Sequence, residues 1–170
     1  MAKPKSRKRT RNLALIGDVD VWESDTIKEL LELPHESECV FYMDSAGGSV
    51  YGALAVVALL RLRRLKASVY VLSECSSAAL LIFAACQHRY VTAHSTFLFH
   101  RMRWQSEKRV ASEEAHHWAK HFEQLETELD DLQHKLFGRA ADKVREWTRQ
   151  GQYLNGRQIA DAGLAELVEL

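Results

Sequence analysis

Short apolar runs alternate with helically spaced stretches along the first hundred residues of the chain. Runs rich in β-branched, aromatic and other apolar residues are typical of buried strands, and they occur at 13–16, 39–43, 69–72, 89–92 and 96–99. Helical patterns lie between them, at 26–33 behind an expected cap at Ser24 and Asp25, at 49–65 and at 80–85. Strands and helices in alternation predict an α/β fold of parallel strands joined by crossover helices.

One long amphipathic stretch, over 110–137, dominates the second half of the chain. Its apolar side chains recur at helical spacing, and they are Trp118, Phe122, Leu125, Leu129, Leu132 and Leu136. A helix of about 28 residues is about 40 Å long, more than a domain of this size needs to cover its own core. We therefore expect part of it to project and pack on another subunit. Helices over 140–150 and 156–162 and a strand over 164–168 complete the prediction.

The composition predicts one globular domain with a basic N-terminal arm. The chain has 170 residues, of which 46% are apolar and 27% charged, as in ordinary globular proteins. Residues 1–12 hold six basic residues and no acid, so the remainder carries an excess of six acids. We predict a disordered arm over 1–12 and a single domain over 13–170. Basic arms can contact nucleic acid, but more often they are solubilising tails, so no nucleic-acid partner is predicted.

The cysteines and the apolar runs bear on the cellular compartment in which the protein is expected. Cys39, Cys75 and Cys86 each lie among apolar or small residues and form no C-x-x-C pair, which favours buried thiols in a reducing compartment. No apolar segment after the arm is long enough for a secretory signal. No apolar run is long enough to span a bilayer. We predict a cytoplasmic protein with no membrane partner.

The candidate chemistry lies in a small-residue elbow, over 75–79, and in a histidine that follows it. The elbow joins a predicted strand to a predicted helix and contains Ser76 and Ser77. A serine at such a turn lies near backbone N–H groups that have no helical partner, and the N–H of the next residue can stabilise an oxyanion. His100 ends a later strand and could take the serine proton. Tight helix packing and a buried histidine would explain the same residues.

A group of histidines on the long helix is the other candidate site. His117 and His121 are four residues apart and could share a metal ion, and His116 is adjacent. The stretch has no H-E-x-x-H motif and no evident fourth ligand. We therefore predict a solvated helix face and no metal site.

Three segments in register resemble the Clp protease proteolytic subunit family, within the crotonase-like superfamily. Residues 41–50 resemble its strand and Gly-Gly loop, 75–79 its nucleophile elbow, and 93–100 the segment that ends in its catalytic histidine. The resemblance extends from about 13 to 168. It implies a crotonase-like superhelix of repeated β-β-α units with parallel strands and a long projecting helix.

The resemblance implies a serine endopeptidase, a hydrolase that acts through a Ser-His pair. The family elbow has the form Gly-x-Ala-Ala-Ser, and laying it on 73–77 places the nucleophile at Ser77 and leaves Ser76 at the preceding small position. His100 would be the general base and acid.

The resemblance also implies the rest of the site and its partners. The Gly47-Gly48 loop and the N–H of Ala78 would form the oxyanion hole, and no cofactor is needed. A peptide or unfolded protein would bind extended along the Gly-Gly strand. The family forms homo-oligomeric rings of seven, stacked face to face, and works with AAA+ unfoldase ATPases.

The third triad member departs from the family pattern. Family members commonly have an aspartate before an aromatic-Leu-(Ser/Thr/Asn) segment, which is 153–155 in this chain, and the matching position holds Gly151. The third member is therefore unassigned, with Asp142, Glu146 and Asn155 as candidates, and weak activity is expected. Two smaller departures are Ala46, where the family has proline, and the basic arm, which differs from the family's axial loops and leaves an ATPase partner open.

Two other function classes fit parts of the sequence. A catalytically impaired ring subunit with a structural or regulatory role is favoured by Gly151, whereas retention of Ser77 and His100 argues against it. A crotonase-type acyl-CoA enzyme would use the same oxyanion architecture but needs no Ser-His pair. Fluorophosphonate labelling at Ser77 separates the first class from a peptidase, and tight acyl-CoA binding would favour the second.

Overall fold

The computed structural model describes residues 10–106 and 109–170, and within them seven strands form one sheet. The main path runs β1-β2-β3-β4-β7, with β5 paired to β3 and to β6. Strands that are neighbours along this path pair in parallel, as do β3 and β5, which confirms the predicted strand direction. The strands are β1 Arg11–Ile16, β2 Glu38–Ser45, β3 Lys66–Ser76, β4 His88–Thr92, β5 Thr96–Phe99, β6 Gln152–Asn155 and β7 Glu166–Val168.

Six α-helices accompany the strands in the described residues. They are α1 Val19–Glu32, α2 Val50–Leu62, α3 Ala79–Ala85, α4 Ser112–Phe137, α5 Ala141–Gln150 and α6 Gly156–Asp161, with a short 3-10 helix at Gly138–Ala140. The first three each link two parallel strands, as crossover helices do. The long helix α4 is confirmed close to its predicted bounds.

The chain divides into two compact units. The first comprises 1–98 and 153–170, and the second comprises 99–152. In the first unit α1 packs on α2 and α2 packs on α3. Its core is apolar and its largest fully buried side chains include Phe41, Met43, Leu15, Leu30, Leu81, Ile82, Phe83 and Phe97. Burial of each such side chain stabilises the fold by roughly 2 kcal/mol.

The second unit is built on the apolar stripe of α4. Leu125, Leu129 and Phe137 of this helix are buried. Phe99 packs on Phe137 and Trp147, with ring centroids 6.3 Å and 5.3 Å apart. Aromatic side chains bury much apolar area each, so this cluster supplies much of the core of a small unit.

Helix α1 begins earlier than its predicted cap. It starts at Val19, after Asp18, so Ser24 and Asp25 lie inside the helix and the predicted cap was wrong. The physical reason is a buried stripe at helical spacing, formed by Val19, Trp22, Thr26 and Leu30. Acidic residues between these positions hide the stripe in the sequence.

One strand is longer than predicted, and one strand was not predicted at all. Strand β3 continues through Ser73 and Glu74 to Ser76 because β5 pairs with its final residues, from Glu74 to Ser76. Residues 152–155, read in the sequence only as a lead into α6, form strand β6.

The predicted basic arm lies largely outside the described residues, which begin at Thr10. Strand β1 starts at Arg11, within the range that was predicted to be disordered. None of the helices in the described ranges has the length and apolar character needed to cross a membrane.

Candidate active site

Ser77 occupies a sharp turn between β3 and α3. Its φ is 55°, in the left-handed region that residues with a side chain seldom adopt. Two backbone hydrogen bonds fix the turn, because the Ser77 N–H donates to the Leu98 carbonyl at 3.0 Å and the Leu80 N–H donates to the Ser77 carbonyl at 3.1 Å. The residue is half-buried. Backbone held in this region despite its cost is found at functional sites more often than elsewhere.

Ser76, next to it, has a different environment. It is 1% exposed, and its Oγ accepts a hydrogen bond from the Leu98 N–H at 3.1 Å. By contrast, the Ser77 hydroxyl has no hydrogen-bond partner among the described residues. The geometry therefore leaves Ser77 as the serine that is free to react.

The Gly-Gly loop lies against this elbow. Gly47 has a φ of 107°, and a Cβ built on it would lie 2.6 Å from Ser77 Cβ and 3.1 Å from the Ala78 nitrogen. Only glycine fits this approach, since both its backbone conformation and its contacts exclude a side chain. The loop is held by two hydrogen bonds, from the Val19 N–H to the Gly47 carbonyl at 2.7 Å and from the Gly47 N–H to Ser45 Oγ at 3.3 Å.

Two backbone N–H groups of this region have no hydrogen-bond acceptor among the described residues. They are the N–H groups of Gly48 and Ala78. Unpaired backbone N–H groups beside a nucleophile can stabilise the negative charge that develops on a carbonyl oxygen. Of the predicted oxyanion residues, Gly47 has its N–H bound to Ser45 Oγ, so the prediction is narrowed to the N–H groups of Gly48 and Ala78.

Sequence reasoning missed Ser45 and Asp20, which support the loop. Ser45 is 1% exposed and binds the Gly47 N–H. Asp20 Oδ2 accepts a hydrogen bond from the Ser49 N–H at 3.2 Å. Buried backbone N–H groups need acceptors, and a serine two residues before Gly47 is a candidate, so the sequence could have indicated Ser45. No sequence signal points to Asp20, which lies far away in the chain.

His100, in the second unit, is oriented by a backbone group. Its Nδ1 lies 2.6 Å from the carbonyl oxygen of Arg101. A carbonyl can only accept, so this contact assigns the hydrogen to Nδ1 and leaves Nε2 as the acceptor. That is the tautomer a general base requires. Sequence reasoning missed this role of Arg101, because every residue carries a carbonyl.

The three candidates for the third triad member are each engaged elsewhere. Glu146 binds Arg149 through both carboxylate oxygens, at 2.9 and 2.8 Å, and this hydrogen bonding lowers the pKa of Glu146. Asp142 lies 3.7 Å from Arg145. Asn155 caps α6, with its side chain accepting from the N–H of the third helical residue at 2.9 Å.

Gly151 ends α5 in the left-handed conformation, with φ 67° and ψ 49°. A Cβ built on it would meet no atom within 4 Å. Position 151, where the resemblance predicts the family's aspartate, therefore has open space around it and a backbone that favours glycine.

The cysteine thiols are poor alternative nucleophiles. All three are free and buried, as predicted. Burial raises the pKa of Cys75 well above its ordinary value, and the nearby Cys86 and Glu74 add to the effect. Burial also raises the pKa of Cys39 to about 11 and that of Cys86 further still. Because the thiolate is the reactive form, Cys75 does not compete with Ser77 two residues away.

The histidines of α4 do not form a metal centre in this structure. The rings of His116 and His117 are edge to face, with centroids 6.4 Å apart. Across the two described ranges, no group of three or more His, Cys, Asp or Glu side chains could hold a metal ion.

Comparisons with known proteins agree on one family. The model of the Clp protease family matches residues 6–169. The ATP-dependent Clp protease proteolytic subunit 4 of Rhodococcus jostii (strain RHA1) is 25% identical over 143 residues, which cover 81% of this chain and 73% of that protein. The structure of a mutant ClpP1 from Listeria monocytogenes matches with a TM-score of 0.79 at 17% identity, over 94% of this chain and 92% of that one.

The structural match confirms the predicted fold, with its parallel strands and long helix. The crotonase-type acyl-CoA enzyme is not favoured, since these comparisons all point to Clp proteases. The family match spans nearly the whole chain, and the chain therefore belongs to the Clp protease family.

Proposed function

We propose that this protein is a serine endopeptidase in which Ser77 is the nucleophile and His100 the general base and acid. The observation that carries the proposal is the elbow itself. Ser77 has a φ of 55° and an unpaired hydroxyl, and it lies beside the Gly47 position, where a Cβ would be 2.6 Å from its own Cβ. Such a turn presents the hydroxyl outward and keeps free backbone N–H groups beside it.

In the proposed reaction, Ser77 Oγ attacks the carbonyl carbon of a peptide bond while Nε2 of His100 takes the hydroxyl proton. The N–H groups of Gly48 and Ala78 stabilise the oxyanion of the tetrahedral intermediate, and Gly47 leaves the space that the substrate carbonyl needs. His100 then gives its proton to the leaving amine, which yields an acyl-enzyme. Water, deprotonated by His100, hydrolyses the ester and restores Ser77.

The chain path supports pairing of these two residues. Leu98 is hydrogen-bonded to both serines of the elbow, through the Ser76 Oγ and the Ser77 N–H. His100 follows Leu98 by two residues in the chain.

The proposed activity is weak. The Arg101 carbonyl is neutral, so it stabilises the imidazolium formed during reaction less than a carboxylate does. In the serine protease template, replacing the triad aspartate by asparagine lowers kcat by about 10⁴-fold. We expect the loss of kcat in this protein to be smaller than that, because the Arg101 carbonyl still holds His100 in the productive tautomer.

The substrate and partner proposals follow from the family. We propose that an extended peptide or unfolded protein binds beside the Gly-Gly strand, through main-chain hydrogen bonds. The relative from Rhodococcus jostii is an ATP-dependent proteolytic subunit by name. By analogy this chain would form stacked homo-oligomeric rings and receive substrate from an AAA+ unfoldase in the cytoplasm.

A structural or regulatory ring subunit is the second candidate. The observation that favours it is Gly151, with open space where the family commonly has an acid. The elbow argues against it, since a subunit without activity has no need for strained backbone at Ser77.

Hydrolysis of a fluorogenic peptide by matched variants tests the proposal. We expect slow turnover by the wild type and only background hydrolysis by Ser77→Ala and His100→Gln. His94→Gln is the matched control, because His94 is exposed and belongs to the same part of the chain. Turnover that survives in Ser77→Ala would contradict the proposal. A wild type that is assembled and folded but hydrolyses nothing would favour the ring subunit.

A further inference from the structure

The residues that follow His100 form neither helix nor strand, in the described ranges 101–106 and 109–111. Backbone outside helices and strands lacks their regular hydrogen bonds, so the contacts of its side chains contribute more to fixing its position. The position of the Arg101 carbonyl, which accepts from His100 Nδ1 at 2.6 Å, therefore depends on the side chains of this segment.

Two of those side chains contact helix α4. Arg101 Nε lies 3.3 Å from Glu126 Oε1, and the Glu126 side chain is 28% exposed. The Trp104 ring stacks on Phe122, with centroids 5.1 Å apart and planes inclined by 23°. It also meets the edge of Trp118 at 6.2 Å.

The three contacted residues belong to one face of α4. Trp118, Phe122 and Glu126 are spaced by four residues, and residues four apart are neighbours on a helix surface. We call these three residues the α4 stripe. It offers an aromatic surface to Trp104 and a carboxylate to Arg101, both from a rigid element.

We propose that the α4 stripe is a positioning device for His100. It fixes Arg101 and Trp104, and so holds the Arg101 carbonyl where it accepts from His100 Nδ1. The inference rests on the proposed function only in giving His100 a catalytic role. Arg101, Trp104 and Glu126 are positioning residues, which act through the imidazole and do not touch the substrate.

The geometry explains why such a device is needed. A hydrogen bond weakens steeply as its angle departs from linearity, so a carbonyl orients an imidazole only while its own peptide is fixed. The acids near the usual position are held by arginines, with Glu146 on Arg149 at 2.8 Å and Asp142 near Arg145 at 3.7 Å. Only the Arg101 side chain of this ion pair is largely exposed, at 66% against 28% for Glu126, so the partly buried carboxylate of Glu126 is a fixed anchor for Arg101.

Variants of the full-length chain separate orientation from folding. Glu126→Gln removes the charge without changing the shape, and Arg101→Ala removes the tether while keeping the carbonyl. The double variant Arg101→Glu with Glu126→Arg restores an ion pair of reversed polarity. Glu123→Gln is the matched control, because it makes the same charge change at an exposed position of the same helix.

The first readout needs no activity. Long-range ¹⁵N–¹H correlations of the His100 ring, assigned by difference with His100→Gln, report which nitrogen carries the hydrogen. We expect the Nδ1–H tautomer in the wild type and in Glu123→Gln. We expect a mixture in Glu126→Gln and Arg101→Ala, and return to Nδ1–H in the double variant. An Nε2–H tautomer in the folded wild type would overturn the inference.

The second readout is kinetic. We expect kcat to fall about 2- to 5-fold in Glu126→Gln and Arg101→Ala with KM unchanged, the scale that one partly exposed ion pair can supply. Single variants that leave both tautomer and kcat unchanged would overturn the inference. A wild type that has the Nδ1–H tautomer yet hydrolyses nothing would support the inference and contradict the proposed function.

Discussion

Ser76 and Ser77 are adjacent residues with the same side chain, but their burial and hydrogen bonding differ. Ser76 is buried, and its Oγ accepts the Leu98 N–H at 3.1 Å. Ser77 lies in the left-handed region, half-buried, with its hydroxyl unpaired among the described residues. The Ser76 hydroxyl is engaged in a part-buried hydrogen bond, whereas that of Ser77 is unpaired, and for this reason we propose Ser77 as the nucleophile.

The two serines should therefore respond differently to alanine. Ser76→Ala leaves the Leu98 N–H without its acceptor in a part-buried site, which should lower the free energy of unfolding by about 1 kcal/mol while part of the peptidase activity remains. Ser77→Ala should leave stability nearly unchanged and abolish activity. Urea denaturation and peptide hydrolysis measure the two effects. If Ser76→Ala alone removes activity in a folded protein, the assigned nucleophile is wrong by one residue.

The buried thiols predict a chemical response to pH. Because the pKa of Cys39 is raised to about 11, only about one molecule in a thousand carries that thiolate at pH 8. Iodoacetamide at pH 8 should leave Cys39, Cys75 and Cys86 unmodified in the folded protein and alkylate all three in urea, as mass spectrometry would show. Rapid alkylation of Cys39 in the folded state would contradict its burial.

The same shift predicts the direction of a stability change. The unfolded chain ionises Cys39 near the ordinary value of 9.0, and the folded chain does so near about 11. Above pH 9 the unfolded state therefore binds fewer protons than the folded state, and the contribution of Cys39 to the free energy of unfolding falls as pH rises through this window.

At the scale of elements, the end of α5 holds a glycine where the family pattern predicts an aspartate. Gly151 ends the helix with φ 67°, and a Cβ there would meet no atom within 4 Å. Aspartate and asparagine tolerate the left-handed region better than other residues with a side chain. Either substitution should be accommodated at a cost of about 1 kcal/mol.

Gly151→Asp should raise peptidase activity relative to the wild type. A carboxylate would stabilise the imidazolium that a neutral carbonyl stabilises less. Gly151→Asn is the matched control, because it imposes the same backbone strain and nearly the same size without the charge. Esterolysis and peptide turnover measure the effect, and circular dichroism confirms folding. Equal rates for the two variants would show that position 151 does not serve the imidazole.

Much of the fold could be predicted from the sequence because its elements have clear periods. Strand β5 occupies Thr96–Phe99, as predicted, and α4 ends at Phe137, as predicted. The start of α1 could not be predicted, because the acids between Val19 and Leu30 obscure the buried stripe. Strand β6 was missed because four residues that pair with a distant strand have no periodic signal of their own.

The sequence could predict the candidate site only where it depends on the identity of side chains. The resemblance to the family elbow indicated Ser77 rather than Ser76, and the end of a strand indicated His100; both assignments stay predictions. The φ of Ser77 and the carbonyl partner of His100 are backbone properties, for which sequence gives no residue-specific signal. The α4 stripe needs a tertiary contact between Arg101 and Glu126, 25 residues apart in the chain.

At the scale of the whole molecule, helix α4 offers candidate residues for the contact between subunits in the proposed assembly. Leu125 and Leu129, which the helical pattern offers as candidates for a face between subunits, are 7% and 8% exposed within the single chain. They serve the core of their own unit. Leu132 and Leu136 of the same helix are only half-buried, so they are better candidates for contact with another copy.

Charges at these positions should divide the assembly without unfolding the chain. We expect Leu132→Glu with Leu136→Glu to give smaller species in light scattering, with unchanged circular dichroism. Leu125→Glu is the contrasting variant, since a charge buried in the core should lower stability strongly. A wild type that is monomeric at micromolar concentration would contradict the proposed assembly.

The most direct test of the account is the site of covalent labelling by a fluorophosphonate, which reacts with activated serines. Mass spectrometry of the labelled, digested protein should place the adduct on Ser77. The adduct should be absent from Ser77→Ala, greatly slowed in His100→Gln, and retained in Ser76→Ala and His94→Gln. An adduct on Ser76, or no adduct at all on the folded and assembled wild type, would contradict the assignment of Ser77 as the nucleophile.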